Sequence, residues 1–260
     1  MIPSPDWEVA TAHFLSVPPT EVLIASDYDG TIAPIVEDPD EALPLAGIVG
    51  LLGALVPLVR RVAIISGRSE RSLRRLLPVP GLIHIGENGV GETTPSEKAR
   101  LHEFQIHATA MAARWPGVMV EAKPASVSVH FRAEPQVAAE LERGLSALIA
   151  GSGLTLVGNR RVFDIQLRRA GKVRTMGRLL HELRPAAVLY AGDSRDDARV
   201  HRCLAHANVA KLCIALRSDE IPERIFRSAD VALDGPRGFG EMLGFLLRRW
   251  NGPAPGSSRD

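Results

Sequence analysis

Residues Leu23 to Ile35 read LIASDYDGTIAPI, an apolar run that ends in two carboxylates one residue apart, followed by Gly30 and Thr31. Asp and Asn often close strands because they make good turns. That explains one aspartate, not an alternating pair. In extended backbone, successive side chains point to opposite faces. Asp27 and Asp29, two residues apart, would share a face in extended backbone, so it is the turn that sets them close together but differently aimed.

Working outward, Val22 to Ser26 reads as a buried strand, and other apolar runs end in the same kind of turn. Arg61 to Ile65 ends at Ser66-Gly67-Arg68, Leu82 to Ile85 at Gly86-Glu87-Asn88-Gly89, and Ala187 to Ala191 at Gly192-Asp193. Helical patterns lie between them at Leu45 to Leu58, Glu70 to Leu77, Lys172 to Leu183 and Asp196 to Leu204. Further strands are expected at Ala210 to Leu216 and Asp230 to Leu233. Strands alternating with helices predict an α/β fold built on a parallel sheet with right-handed crossovers.

The middle of the chain has another rhythm. Ser96 to Arg114 and Pro135 to Ala150 read as helices. Val118 to Lys123, Ser126 to Arg132, Leu154 to Val157 and Arg161 to Leu167 read as strands, the last two joined by a turn at Gly158-Asn159. Val127, Val129 and Phe131 share one face of their strand. The expected organisation is a core from 1–95 and 170–250, with a compact α/β unit at 96–169 inserted into it. Residues 1–20 are expected to form a short helix that docks through Trp7, Val9, Phe14 and Leu15, and 251–260 a disordered tail by composition.

Composition excludes several function classes. The chain has 260 residues, 31 basic and 30 acidic side chains and a formal net charge of +1. That balance gives no electrostatic case for nucleic acid or an anionic membrane. No uncharged apolar run reaches the roughly 18 residues of a membrane span, and the N-terminus lacks the pattern of a signal peptide. Two cysteines, Cys203 and Cys213, read as buried thiols in a reducing compartment, so a cytoplasmic protein is expected. The stretch Gly86 to Gly91 has the wrong glycine spacing for a dinucleotide fingerprint.

In open parallel sheets ligands sit beyond the carboxyl ends of the strands. Here those ends bring Asp27 and Asp29, Ser66, Asn88, and Asp193 with Asp197 to one edge. Convergent carboxylates repel one another unless a cation or a proton lies among them. Magnesium fits, because it takes oxygen ligands from a few carboxylates, water and a substrate phosphate. Asp27 can attack phosphorus as a nucleophile and Asp29 can act as the general acid and base. Gly30 permits a sharp turn, and Thr31 with nearby N–H groups can bind phosphate oxygens. Phosphoryl transfer is mostly positioning and charge neutralisation. Ser66 supplies a hydroxyl donor, and it also reads as a cap for the next helix. Lys172 supplies a cation, and Asp193 and Asp197 supply acidic metal ligands.

The set Asp27-Tyr-Asp29-Gly30-Thr31, Ser66-Gly67-Arg68, Lys172 and Gly192-Asp193 with Asp197 resembles the haloacid dehalogenase-like phosphatases. Within them the chain is similar to the trehalose-6-phosphate phosphatase family, over residues 20 to 245. The supporting stretches are Gly86 to Gly89, Glu121 to Arg132 and Val162 to Lys172. The resemblance implies a Rossmann-like core with an inserted α/β cap. It implies hydrolysis of trehalose 6-phosphate through an aspartyl-phosphate. It implies magnesium held by Asp27, the main-chain carbonyl of Asp29 and Asp193, with Asp197 supporting. It implies substrate contacts at Glu121, Lys123, His130, Arg132 and Asp164, with Gly67, Arg68 and Asn88 near the core–cap cleft. It leaves open a functional partnership with a glycosyltransferase or synthase.

The chain departs from that family's usual pattern at several positions. Asn88 replaces a usual His, Asp164 a usual Glu and Val173 a usual Gly. The fourth motif, usually richer in acid, holds Ser194, Asp196 and Ala198 at the matching positions. A pocket built around particular hydroxyls rejects analogues that leave its polar groups unpaired. The alternative substrate is therefore a trehalose-like pseudo-disaccharide phosphate or another sugar phosphate. A catalytically silent sugar-phosphate sensor is the reading from another class, and the intact Asp27 and Asp29 speak against it.

Overall fold

The computed structural model describes residues 7–36, 41–91, 93–158, 161–167, 171–217 and 227–252. Asn159 of the expected turn and most of the expected disordered tail fall outside the described residues. Six parallel strands form the main sheet: β1 Val22–Ser26, β2 Arg61–Ile65, β3 Ile83–Ile85, β8 Ala187–Gly192, β9 Ala210–Arg217 and β10 Val231–Asp234. Their spatial order is β10-β9-β8-β1-β2-β3. Every residue of β1 and of β8 is buried. That is why both read as continuous apolar runs, the signature of strands covered on both faces. They pair in register, with Ser26 opposite Ala191, so Asp27 and Gly192 leave the sheet side by side.

Helices cover both faces. On one lie α1 Trp7–Leu15, α2 Ile48–Leu55, α3 Glu70–Leu76 and α8 Gly235–Asn251, whose buried side chains join a core that includes Ile24, Ile64, Leu189 and Ile214. On the other lie α6 Lys172–Leu183 and α7 Arg195–Ala205, over Leu23, Ala63, Val188 and Tyr190. The N-terminal helix docks as expected through Trp7, Phe14 and Leu15, but Val9 is 75% exposed. Helix α8 has no counterpart in the sequence reading. Its Phe239, Met242, Leu243 and Leu246 are fully buried at helical spacing.

The second sheet is antiparallel, ordered β4-β5-β7-β6: β4 Met119–Ala122, β5 Ser126–His130, β6 Leu154–Gly158 and β7 Val162–Leu167. Two helices, α4 Pro95–Ala112 and α5 Ala138–Ile149, flank it. A capping box starts α4, in which the Thr94 hydroxyl accepts from the Glu97 N–H and the Glu97 carboxylate accepts from the Thr94 N–H. One face of this sheet carries Val127, Val129, Phe131, Phe163 and Ile165, packed with Leu101, Phe104, Leu141 and Leu145 of the helices. Phe131 and Phe163 stack with ring centroids 4.8 Å apart. The expected alternation therefore holds, and it leaves the other face polar.

On that polar face, the register aligns Glu121 with Ser128 and Ser128 with Asp164 across three strands. Helix α3 is capped by Ser69, whose hydroxyl accepts from the Ser72 N–H. The expected cap, Ser66, lies three residues too early because the chain first passes Gly67 and Arg68 along the cavity wall.

Candidate active site

The strand ends and the polar face of the second sheet enclose a cavity of about 480 Å³. That size is ordinary for a small-molecule site. Asp27, Asp29, Ser66, Gly67, Arg68, Asn88, Lys172 and Asp193 line it from the main sheet. Glu121, Lys123, His130, Arg132 and Asp164 line it from the second. Thr31 does not. It is fully buried, and its hydroxyl has no hydrogen-bond partner among the described residues. The turn is too tight for it to face out, because the Tyr28 carbonyl accepts from the N–H groups of Thr31, Ile32 and Ala33.

The centre of the site is an ion-paired lysine. Lys172 opens α6 and is 5% exposed. Its Nζ lies 2.6 Å from Asp27 Oδ2 and 2.9 Å from Asp197 Oδ1. Burial alone would lower the lysine pKa, but the charges of Asp197 and Asp27 outweigh it and raise it, so the ammonium persists. Asp197 is held below the usual carboxylate range: burial opposes this, and Lys172, Ser194 and Tyr190 outweigh it. Asp27 is pushed up to about 7 by burial, against the pull of Lys172. Asp193 is raised well above its ordinary value by burial and then by the charges of Asp27 and Asp197.

Those raised values mark a place short of positive charge. One carboxylate oxygen from each of Asp27, Asp193 and Asp197 lies within 4.8 Å of the others. Gly30 makes the approach feasible. It has φ +74°, and a Cβ there would sit 2.1 Å from Asp193 Oδ2. The Asp29–Gly30 backbone can therefore close against Asp193 only without a side chain. An all-oxygen donor set around a negative cradle fits a hard divalent cation such as magnesium.

Asp29 is placed differently from its neighbour. Its side chain is 42% exposed, and Arg68 holds it with Nε at 2.9 Å from Oδ2 and Nη2 at 2.7 Å from Oδ1. The guanidinium lies over the buried Tyr28 ring at 5.0 Å. Ser66 Oγ accepts from the Arg68 N–H, which leaves the hydroxyl proton free to donate.

The second sheet holds its polar groups through one another. Glu121 Oε2 lies 2.9 Å from His130 Nε2 and 3.6 Å from Lys123 Nζ, and its pKa is lowered chiefly by the His130 hydrogen bond. The Ser128 hydroxyl donates to Asp164 Oδ1. Asn88 donates its amide to Gln166 Oε1 at 3.3 Å, and its main-chain carbonyl accepts from Gly171 N at 3.2 Å and Thr175 Oγ1 at 2.9 Å. Glu87, Asn88 and Gly89 all have positive φ, with values of 47°, 52° and 82°. Asn tolerates that region better than most side chains, which accounts locally for Asn88.

Among the polar side chains of the site that were not anticipated, Ser128, Gln166 and Tyr190 lie on strands. Each sits inside an apolar strand pattern, where its hydroxyl or amide gives no periodic signal.

A family model described as trehalose-phosphatase matches residues 25–235, most of the chain. The chain belongs to the trehalose-phosphatase family. Its similarity to a trehalose-phosphate phosphatase of Mycobacterium marinum is 30% identity over 250 residues, covering 89% of this chain and 62% of that protein. The chain thus spans less than two thirds of the length of that relative. A bifunctional trehalose-6-phosphate synthase/phosphatase of Thermoproteus tenax is 29% identical over 197 residues, 67% of this chain and 26% of its own length. The solved C-terminal domain of a Candida albicans trehalose-6-phosphate phosphatase superposes with a TM-score of 0.73 at 19% identity, covering 94% of this chain and 97% of that one. A Synechocystis sucrose-phosphatase superposes with a TM-score of 0.55 at 18% identity, covering 88% and 98%. The fold of this trehalose-phosphatase family member is thus the haloacid dehalogenase-like α/β fold.

Proposed function

We propose that the chain is a magnesium-dependent phosphatase that hydrolyses a phosphorylated disaccharide, trehalose 6-phosphate first among them. The observation that carries this reading is Lys172, buried between Asp27 and Asp197 at the base of a cavity whose opposite wall is a polar sheet face. The family membership supports the substrate.

In the proposed mechanism an Asp27 carboxylate oxygen attacks phosphorus, and the bond from phosphorus to the sugar oxygen breaks. Asp29 gives its proton to the departing sugar oxygen. A water molecule then loses a proton to Asp29 and attacks the aspartyl-phosphate, which releases phosphate and restores Asp27. Lys172 and the Ser66 hydroxyl hold the phosphoryl oxygens. Asp27, Asp193 and the main-chain carbonyl of Asp29 would hold magnesium, which neutralises charge on the transferring group. Residues 96–169 serve as the cap, with Glu121, Lys123, His130, Arg132 and Asp164 reading the sugar and Gly67, Arg68 and Asn88 at the cleft.

One observation favours a second substrate. Asn88 and Asp164, the two departures from the family's usual residues that bear on the sugar, are engaged by Gln166 and Ser128. A sugar other than trehalose is the reading that follows from those altered contacts. Phosphate release from trehalose 6-phosphate, sucrose 6-phosphate and glucose 6-phosphate, with magnesium or with EDTA, tests both. Preference for trehalose 6-phosphate upholds the first reading, and faster turnover of another ester moves the assignment to it. No release from any ester removes the phosphatase reading.

The cytoplasm suits the two free cysteines. No helix among the described residues is long and apolar enough to cross a membrane. The bifunctional relative supports a synthase as the functional partner.

Removal of metal has an expected signature in stability. Asp27, at about 7, and Asp193 bind protons more tightly in the folded chain than in the unfolded one. Their contribution is therefore fully present below the ordinary carboxylate range and is lost as pH rises through their folded values. His201 acts in the opposite direction: burial lowers it to about 4, so its contribution is gained up to about 6.5 and is flat above. Between pH 6.5 and 8 in EDTA, Tm is expected to fall by about 3–6 °C. Magnesium is expected to raise Tm more at pH 8 than at pH 6.5, because fewer protons compete for the carboxylates. A Tm unmoved by both pH and magnesium, followed by differential scanning calorimetry, would count against the metal cradle.

A further inference from the structure

Asp197 has no lone pair to spare. Its Oδ1 accepts from Lys172 Nζ at 2.9 Å and from the Tyr190 hydroxyl at 2.6 Å. Its Oδ2 accepts from the Ser194 N–H at 2.9 Å and from the Ser194 hydroxyl. A carboxylate offers about four acceptor sites. All four are taken, two on each oxygen, and the residue is 0% exposed.

Tyr190 reaches this carboxylate from inside the main sheet. It lies on β8, is fully buried and packs edge-on to His201 of α7, with ring centroids 5.7 Å apart. Burial, then the charge of Asp197, raises its pKa well above the ordinary value, so the hydroxyl keeps its proton to donate. The three partners come from three elements: Tyr190 from β8, Lys172 from α6 and Asp197 from α7.

We propose that Tyr190 is a positioning residue that acts through Asp197: it fixes the carboxylate so that Lys172 is aimed at Asp27, and Asp197 is not a metal ligand. The proposal rests on the phosphatase reading given above. Two donors on Oδ1 pin that oxygen from both sides. Without the Tyr190 hydroxyl, Oδ1 keeps only Lys172 as a donor, and the ammonium can follow it away from Asp27. The loss falls on the transition state, where charge develops on the phosphoryl group, rather than on the binding of sugar or cation.

Tyr190→Phe tests this, because it removes only the hydroxyl and retains the ring against His201. Expected are a kcat lowered about 10-fold, with KM and the magnesium activation constant within about twofold of the unsubstituted protein. Binding of orthovanadate in magnesium, measured by calorimetry, is expected to weaken about 10-fold while inorganic phosphate binding holds. Ser194→Ala, which removes one of the two donors to Oδ2 and keeps the main-chain N–H, is the second variant and carries the same expectations, so a failure of Tyr190→Phe to fold leaves the proposal open to test.

An unchanged kcat and unchanged orthovanadate binding overturn the proposal. So does a kcat loss matched by a rise in the magnesium constant, which would return Asp197 to the metal. If the unsubstituted protein turns over no ester, the phosphatase reading fails, and the orthovanadate comparison still decides whether Tyr190 sets the site.

Discussion

Asp27→Asn is expected to lower phosphate release by about 10⁴-fold or more, since it replaces the attacking oxygen of the proposed mechanism with an amide. The fold should survive. The Tyr28 N–H donates to Asp27 Oδ1 at 2.7 Å, and an asparagine carbonyl can take the same bond. Lys172 keeps Asp197 as a partner. The substitution also removes a buried acid whose ionisation burial already opposes. Tm is therefore expected to stay within a few degrees of the parent while turnover disappears. Rapid acid quenching with radiolabelled substrate reads the same point directly, since the parent should carry label on the protein and the variant should not. Full activity in Asp27→Asn would remove the nucleophile assignment.

Lys172→Met should cost both activity and stability. It leaves Asp27 and Asp197 buried without their shared cation. Breaking a buried ion pair from one side typically costs about 3–5 kcal/mol. For a chain of this size that corresponds to a Tm lower by on the order of 10 °C. Phosphate release should fall by about 10³-fold, the scale of losing a preorganised charge on the transferring group. The stability loss should be smaller at pH 5 than at pH 8, because Asp27 takes up a proton there in place of the ammonium. Urea melts at the two pH values measure it. An unaltered midpoint would mean that the lysine is not the counter-charge the geometry indicates.

The fold was legible where burial speaks through periodicity. β1 and β8 are buried along their whole length and appear as unbroken apolar runs. β5 alternates because one of its faces packs on helices, and Val127, Val129 and Phe131 lie there as expected. The strand ends were legible for a related reason: turn-making explains one polar residue after a buried run, not the pair Asp27 and Asp29. Helix α8 was missed because its last turns run straight into the Pro- and Gly-rich end of the chain, which masks the spacing of Phe239, Met242 and Leu246.

Side-chain partnership was much less legible. Asp29 and Thr31 follow Asp27 on the same turn, yet one is half-exposed and paired to Arg68 while the other faces the interior. Sequence spacing gives the turn but not the rotation of each residue around it. Tyr190 in the run AVLYA reads as a core aromatic, and its ring is one. Only the hydroxyl at its end is polar, and nothing in a linear pattern shows what that single atom meets.

The Asn88 carbonyl has a mechanical consequence. It accepts from the Gly171 N–H and from the Thr175 hydroxyl, so the chain's outward passage from the main sheet and its return to it meet at one oxygen. A body tied close to one residue turns about it more readily than it slides away. The spot lies one residue from Lys172, at the start of the helix that carries it. Any torque on the polar wall is delivered first to the base of the lysine, so a sugar seated far from the phosphorus has a short lever to the charge that steadies it.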